Sequence, residues 1–388
     1  MGVSDAIGIL MQGAVQAGKV PGVAVALGGR EEEGFAAGYG LRRLGAPEPM
    51  GADTVAWIAS MTKAVTATAA MRLVEQGRLS LDAPASDAVA GLADVRVLEG
   101  FAEDGTPRTR PPRRAVTLRH LLTHTSGFAY DMWSPAIGRF RKATGTPAVT
   151  TCRNAALGLP LLFDPGEGWT YGIGIDWAGK MVEAASGESL GAHVARTLFA
   201  PLGMADTAFR LSDEMRARRA AVHARAPDGT LAPTDFEVVQ DPEFEMGGGG
   251  LYSTARDYLR FARMLLNGGR FGRERFLKPE TLAEMARDQI APLSVTPMVS
   301  AAPAATNDVD FFPGLPCGWS LTHLVNRATT PQGRSKGSLA WAGLANTYCW
   351  IDFGRGTAGV FVSQIMPFFD AEAVALFRGF EARVNGLG

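Results

Sequence analysis

A chain of 388 residues, with 46% hydrophobic side chains and a formal net charge of −1, can bury a large core and carries no charge bias toward nucleic acid. Its three cysteines, Cys152, Cys317 and Cys349, are too few and too far apart for a disulfide framework or a zinc knuckle. The one basic cluster, Arg108 to Arg114, is broken by Pro111 and Pro112 and reads as a solvated loop.

Residues 1–18 alternate as an amphipathic helix with Ile7, Leu10, Met11 and Val15 on its apolar face. They hold no basic segment followed by a long apolar one, and nowhere does the chain run to about 18 consecutive apolar residues. No membrane span is expected, and the expected location is cytoplasmic. Two strand-like runs follow, residues 22–27 and 34–41, joined by the charged turn 28–33.

The apolar run 55–59 then leads into Ser60-Met61-Thr62-Lys63, which opens a helical pattern over residues 64–76. Side chains three apart share a helix face, so the Ser60 hydroxyl and the Lys63 amine can meet. In the first turn, unpaired backbone N–H groups and the positive end of the helix dipole favour developing negative charge. A serine nucleophile that uses an amine as its base, without histidine, has these requirements.

From about residue 82 to about residue 290 the pattern is mainly helices and Pro- and Gly-rich loops. Helices are expected over residues 118–122, 176–185, 189–198 and 255–266, the last with Thr254 as its cap and Gly268-Gly269 as its stop. His120 and His124 have the spacing of a zinc helix, but Leu121 stands where its glutamate belongs and no third ligand is evident. No metal is expected; a structural role at the helix end is. Phe128, Tyr130 and Trp133 form an aromatic cluster just beyond. In Pro165-Gly166-Glu167-Gly168-Trp169-Thr170-Tyr171, a turn precedes a tyrosine that a nearby ammonium would make easier to ionise, so Tyr171 is a candidate partner for Lys63. Residues 247–250 are four glycines without the Lys-Ser/Thr ending of a phosphate loop, and read as a flexible bend.

Three more strands are expected over residues 317–325, 338–353 and 356–366, then a closing helix over 371–384. Gly343, in Trp341-Ala342-Gly343-Leu344, marks a bulge or a close backbone approach inside the middle strand. An ester oxygen could be what approaches, held by the N–H groups of Leu344 and Ser60 as an oxyanion hole. Gly333-Arg334-Ser335-Lys336-Gly337 matches a nucleophile elbow, yet it joins two strands rather than a strand and a helix, so Ser335 is rejected as nucleophile. Strands at both ends imply one sheet built from residues 1–84 and 291–388, with a mainly helical lobe, 85–290, inserted.

Ser60-x-x-Lys63, Tyr171 and Trp341-x-Gly343, in that order, resemble the three motifs of the serine β-lactamase and penicillin-binding protein superfamily. The segments His120-Leu121-Leu122-Thr123-His124-Thr125-Ser126-Gly127, Pro201-Leu202-Gly203-Met204 and Gly248 to Thr254 match as well. The resemblance covers essentially the whole chain and is closest to the family VIII carboxylesterases, relatives of the class C β-lactamases. It implies an α/β (α+β) fold of the β-lactamase/transpeptidase type, an antiparallel sheet flanked by helices with an inserted helical lobe. It also implies a serine carboxylesterase acting on short-chain acyl esters without a cofactor, through an acyl-Ser60 intermediate. Lys63 and Tyr171 would relay the proton, either of them serving as base; Ser60 and Leu344 would hold the oxyanion. Trp341, Gly343, Tyr130 and Trp133 would contact a small-molecule ester.

Two departures bear on the substrate. Ile173 replaces the asparagine of Tyr-x-Asn, and Trp341 replaces the strand lysine that helps bind a β-lactam carboxylate. Both favour a neutral ester over a penicillin acid. A β-lactamase or D-Ala-D-Ala peptidase is the alternative reading, an acyltransferase of the same fold remains open, and a binding protein that merely keeps the fold would not need Ser60, Lys63 and Tyr171 together.

Overall fold

The computed structural model describes residues 2–387. Its centre is a seven-stranded antiparallel sheet drawn from both ends of the chain. The N-terminal part supplies β1 (Gly22–Gly29) and β2 (Glu33–Gly40). The C-terminal part supplies β3 (Cys317–Trp319), β4 (Leu324–Asn326), β5 (Leu339–Gly343), β6 (Thr347–Asp352) and β7 (Thr357–Val362). The spatial order is β3-β4-β5-β6-β7-β1-β2, so β1 closes against β7 with Val25 opposite Phe361. Two of the expected C-terminal strands are each a hairpin. Residues 317–325 break at the Ser320–His323 turn, where the Ser320 amide donates to the His323 carbonyl. Residues 338–353 break at a three-residue turn, Leu344 to Asn346, with Asn346 in the left-handed region at φ 57°. Asparagine tolerates that conformation better than most residues, which fixes the turn at this point.

Alternation along β6 sorts the two faces of the sheet. Tyr348 and Trp350 point to one side, where Tyr348 stacks on Phe377 and Trp350 meets Phe380 edge-on. Those phenylalanines belong to the C-terminal helix Ala371–Val384, which packs beside α1 (Val3–Gln16). On the opposite side lies the helix Ala255–Leu266, with Thr254 accepting from the Asp257 amide as its cap. This helix falls in the segment expected to form the inserted lobe, yet it packs on β7, β1 and β6. Its pattern makes that possible, because Leu259, Phe261, Ala262, Leu265 and Leu266 are all buried.

Two further helices carry the rest of the site. Helix α2 (Thr62–Glu75) is buried over most of its length and packs on α3 (Gly174–Ser186). Alanine and threonine dominate the buried face of α2, and small side chains let the helices approach closely. The arginine cluster is partly ordered: Pro107–Arg110 is a hairpin strand, and Arg110 forms a two-pronged ion pair with the buried carboxylate of Asp164. No helix among the described residues is long and apolar enough to cross a membrane.

Candidate active site

Ser60 sits in a short 3-10 turn, Ala59–Met61, that runs directly into α2. The residue before it, Ala59, is held at φ 44°, a left-handed conformation that costs a side-chain-bearing residue on the order of 1 kcal/mol. The surroundings enforce it. The Ile58 amide donates to the Leu251 carbonyl, and the Tyr258 hydroxyl donates to the Met61 carbonyl at 2.9 Å. Strand β5 presses on the same segment: a Cβ at Gly343 would lie 2.2 Å from the Ile58 carbonyl oxygen and 2.2 Å from Thr347 Oγ1. Only glycine fits there.

Lys63 lies one turn on, with 1% of its surface exposed. Its Nζ is 3.1 Å from Ser60 Oγ, 3.0 Å from Tyr130 Oη and 2.6 Å from the Gly248 carbonyl oxygen. The carbonyl can only accept, so one N–H is always committed to Gly248. The two hydroxyls can each donate or accept, so the remaining positions on the nitrogen serve either an ammonium or a neutral amine. Burial pushes Lys63 down to about 7, against the opposing pull of the Asp176 carboxylate.

Two tyrosines flank the lysine, which lies 4.6 Å from the Tyr171 ring centroid and 5.1 Å from that of Tyr130. A backbone bond, Tyr130 amide to Tyr171 carbonyl, ties the two segments together. Tyr171 Oη accepts the indole N–H of Trp341 at 3.0 Å. Burial raises the Tyr171 phenol above its ordinary value, while Ser60 and Trp341 pull it back. Burial also raises Tyr130, well above the ordinary phenol range, with Asp176 and Tyr171 adding to the effect. Behind Tyr171, His124 packs between that ring and Trp319, and burial holds it neutral. Its Nδ1 accepts from the Gly172 amide at 3.4 Å. His120 has a different task, accepting the Thr117 amide through Nδ1 at the start of its own helix.

Asp176, in the first turn of α3, completes the cluster. It is 1% exposed; Oδ1 accepts the Gly248 amide at 2.8 Å, and Oδ2 has no hydrogen-bond partner. Burial lifts its carboxyl to about 6, with Lys63 and the Gly248 amide pulling the other way. Gly248 therefore faces the cluster twice, its N–H toward Asp176 and its C=O toward Lys63. A Cβ on it would fall 2.7 Å from Asp176 Oδ2 and 2.9 Å from Tyr130 Oη.

The structure thus gathers Ser60, Lys63, Tyr171, Tyr130 and Trp341 into one cluster, in which Lys63 bonds Ser60 and Tyr130 while Tyr171 bonds Trp341 and sets its ring against the lysine, with several departures from expectation. Tyr130, expected to line the pocket, bonds the lysine directly. Trp341 is buried and its N–H is used by Tyr171, so its polar atom orients a protein side chain rather than a substrate. Gly343 packs closely on the Ile58 carbonyl. Leu344 lies just past the end of β5, in the turn, half-buried. Trp133 is half-buried and packs edge-on against Tyr171 and Tyr130. The 247–250 glycines are buried and closely packed, not a flexible bend. Asp176 carries no signal in the sequence: an acid in the first turn of a helix is ordinary, and nothing local tells that this one is buried beside Lys63.

Comparison with known proteins places this geometry. The profile of the Beta-lactamase family matches residues 10–382. A lovastatin esterase of Penicillium rubens is 31% identical over 379 residues, covering 94% of each chain. A monacolin J acid methylbutanoyltransferase of Aspergillus terreus is 31% identical over 350 residues, covering 86% of this chain and 82% of its own. Among solved structures, a mutant simvastatin synthase from Aspergillus terreus superposes with a TM-score of 0.88 at 28% identity, over 99% of this chain and 95% of the other.

Proposed function

The chain belongs to the β-lactamase family and is a serine esterase or acyltransferase of that fold, and we propose that Ser60 carries a short acyl group between a neutral ester and water or an alcohol. One observation carries the reading: Lys63 Nζ touches Ser60 Oγ at 3.1 Å inside an uncharged aromatic wall, with Trp341 where a β-lactamase would place a cation. A strand lysine would attract a carboxylate; an indole whose N–H is already engaged does not.

Lys63 is the base in this proposal. It is the one member of the pair whose neutral, proton-accepting form is favoured near neutrality, since both phenols are held protonated by burial. Ser60 Oγ attacks the ester carbonyl carbon as Lys63 takes its proton. The amides of Ser60 and Leu344 hold the oxyanion; Gly343, packed onto Ile58, keeps Leu344 close to the nucleophile. As the tetrahedral centre collapses, Tyr171 gives its proton to the leaving alcohol oxygen and regains one from Lys63, while the Trp341 N–H steadies the charge that passes over the phenol oxygen. Water or an acceptor alcohol then enters by the same steps in reverse and releases the acyl group.

The name of one relative, a methylbutanoyltransferase, favours a short acyl group, in keeping with the half-buried Met132, Trp133, Phe311 and Leu344 near the site. Acyl transfer competes with hydrolysis on this reading, because a transferase is among those relatives. The test is turnover of p-nitrophenyl acetate, p-nitrophenyl butyrate and nitrocefin, with and without an added alcohol, by the native protein and Ser60→Ala. Ester turnover should fall by roughly 10⁴-fold or more in the variant, with an acyl adduct on Ser60 in the native protein by mass spectrometry. Undiminished turnover in Ser60→Ala, or faster nitrocefin than ester cleavage, would overturn the proposal.

A further inference from the structure

The three motifs account for the nucleophile, the amine and one phenol, and leave Asp176 unexplained. A buried carboxylate with one oxygen unpartnered is costly, of the order of several kcal/mol, unless a positive charge accompanies it. The surroundings supply a single candidate for that charge. The groups coupled electrostatically to Asp176 are Lys63 from α2, Tyr130, Tyr171 and Cys152; those coupled to Lys63 include His124 as well. Burial raises the phenols and the thiol and lowers His124, so all four are neutral around pH 7. Lys63 alone gains a positive charge, and it does so in the acylation step. Gly248 couples the two rigidly, because the same peptide residue that donates to Asp176 accepts from Lys63.

We propose that Asp176 is a positioning residue for acyl transfer: through Gly248 it fixes Lys63 against Ser60, and its carboxylate is the counter-charge that stabilises the Lys63 ammonium formed when Ser60 attacks. No bond to substrate is made or broken by Asp176, and no net proton is consumed; the proton moves from Ser60 to Lys63 beside a fixed negative charge. This inference rests on Lys63 being the base.

Asp176 opposes the loss of the lysine proton, so removing its charge makes Lys63 a weaker base that is free of its proton at lower pH. For p-nitrophenyl butyrate, the acid limb of kcat/KM should lie near pH 7 in the native protein, where Lys63 takes up its proton. In Asp176→Asn it should move to lower pH by about one unit while the plateau falls roughly 10–100-fold. Asp176→Glu, which keeps the charge and shifts its place, should keep the native limb and lose only plateau rate; it serves also where the asparagine variant does not fold, since a limb that moved with the charge retained would contradict the proposal. A merely structural role lowers the plateau and leaves the limb in place, and that result in folded Asp176→Asn would overturn the inference. If Ser60→Ala keeps its turnover, the proposed chemistry fails instead, so the two failures are separable.

Discussion

Two buried charge pairs lie in different parts of the molecule, and they differ in everything but burial. Lys63 and Asp176 sit between α2 and α3, linked through the peptide of Gly248, with a partly exposed serine 3.1 Å from the lysine. Arg334 and Glu381 sit between the loop after β4 and the C-terminal helix, 1% and 0% exposed, with the guanidinium over the Phe312 ring. The second pair is in direct contact but closed off by Phe312, Tyr348 and Phe377. An arginine offers no proton to move under ordinary conditions, whereas a lysine can give one up, so only the first pair can cycle. Chemistry requires a buried proton that can move and a nucleophile within reach of it. Burial alone supplies neither.

Three substitutions test that contrast. The largest effect is expected at the closed pair. Glu381→Ala strands a buried guanidinium and should cost about 3–5 kcal/mol of stability in urea unfolding, with turnover per folded molecule unchanged. A loss of turnover without a loss of stability would mean that this pair, too, serves the reaction. Next comes the open cluster: Tyr171→Phe keeps the ring packing on His124 and Trp341 and deletes the acid, and kcat should drop by roughly 10²-fold with the unfolding midpoint little changed. Equal rates for the two proteins would leave Tyr171 a packing residue. The smallest effect belongs to Trp341→Phe, which removes one hydrogen bond worth about 1–1.5 kcal/mol and should lower kcat by about tenfold at near-constant KM. A rise in KM with kcat intact would instead make Trp341 a substrate contact.

Much of the scaffold is legible in local sequence. The helix 255–266 and the closing helix 371–384 have the bounds that their patterns predict, because amphipathic periodicity, a Thr254 or Asp370 cap and a glycine or asparagine stop all act within a few residues. The hairpin at Leu344 to Asn346 is missed because no Gly-Asn or Asn-Gly pair announces it; an asparagine in the left-handed region makes it instead. The helix 255–266 is assigned to the wrong neighbours for a related reason. An apolar stripe tells that a helix is buried, not against what.

Local sequence alone picks out Ser60 and Lys63 as neighbours. Ser60 and Lys63 are three residues apart at a helix start, and that geometry is local. It also carries the family, through Tyr171 and Trp341-x-Gly343 in order. How those residues bear on one another is set by packing. It brings Trp341 onto Tyr171 across 170 positions and Gly248 onto Lys63 across 185. It also changes the meaning of Asp176, from an ordinary first-turn acid to a buried counter-charge. Desolvation is the cause: a proton affinity depends on which groups share a dry volume, and that is set by packing between distant segments, not by any spacing along the chain.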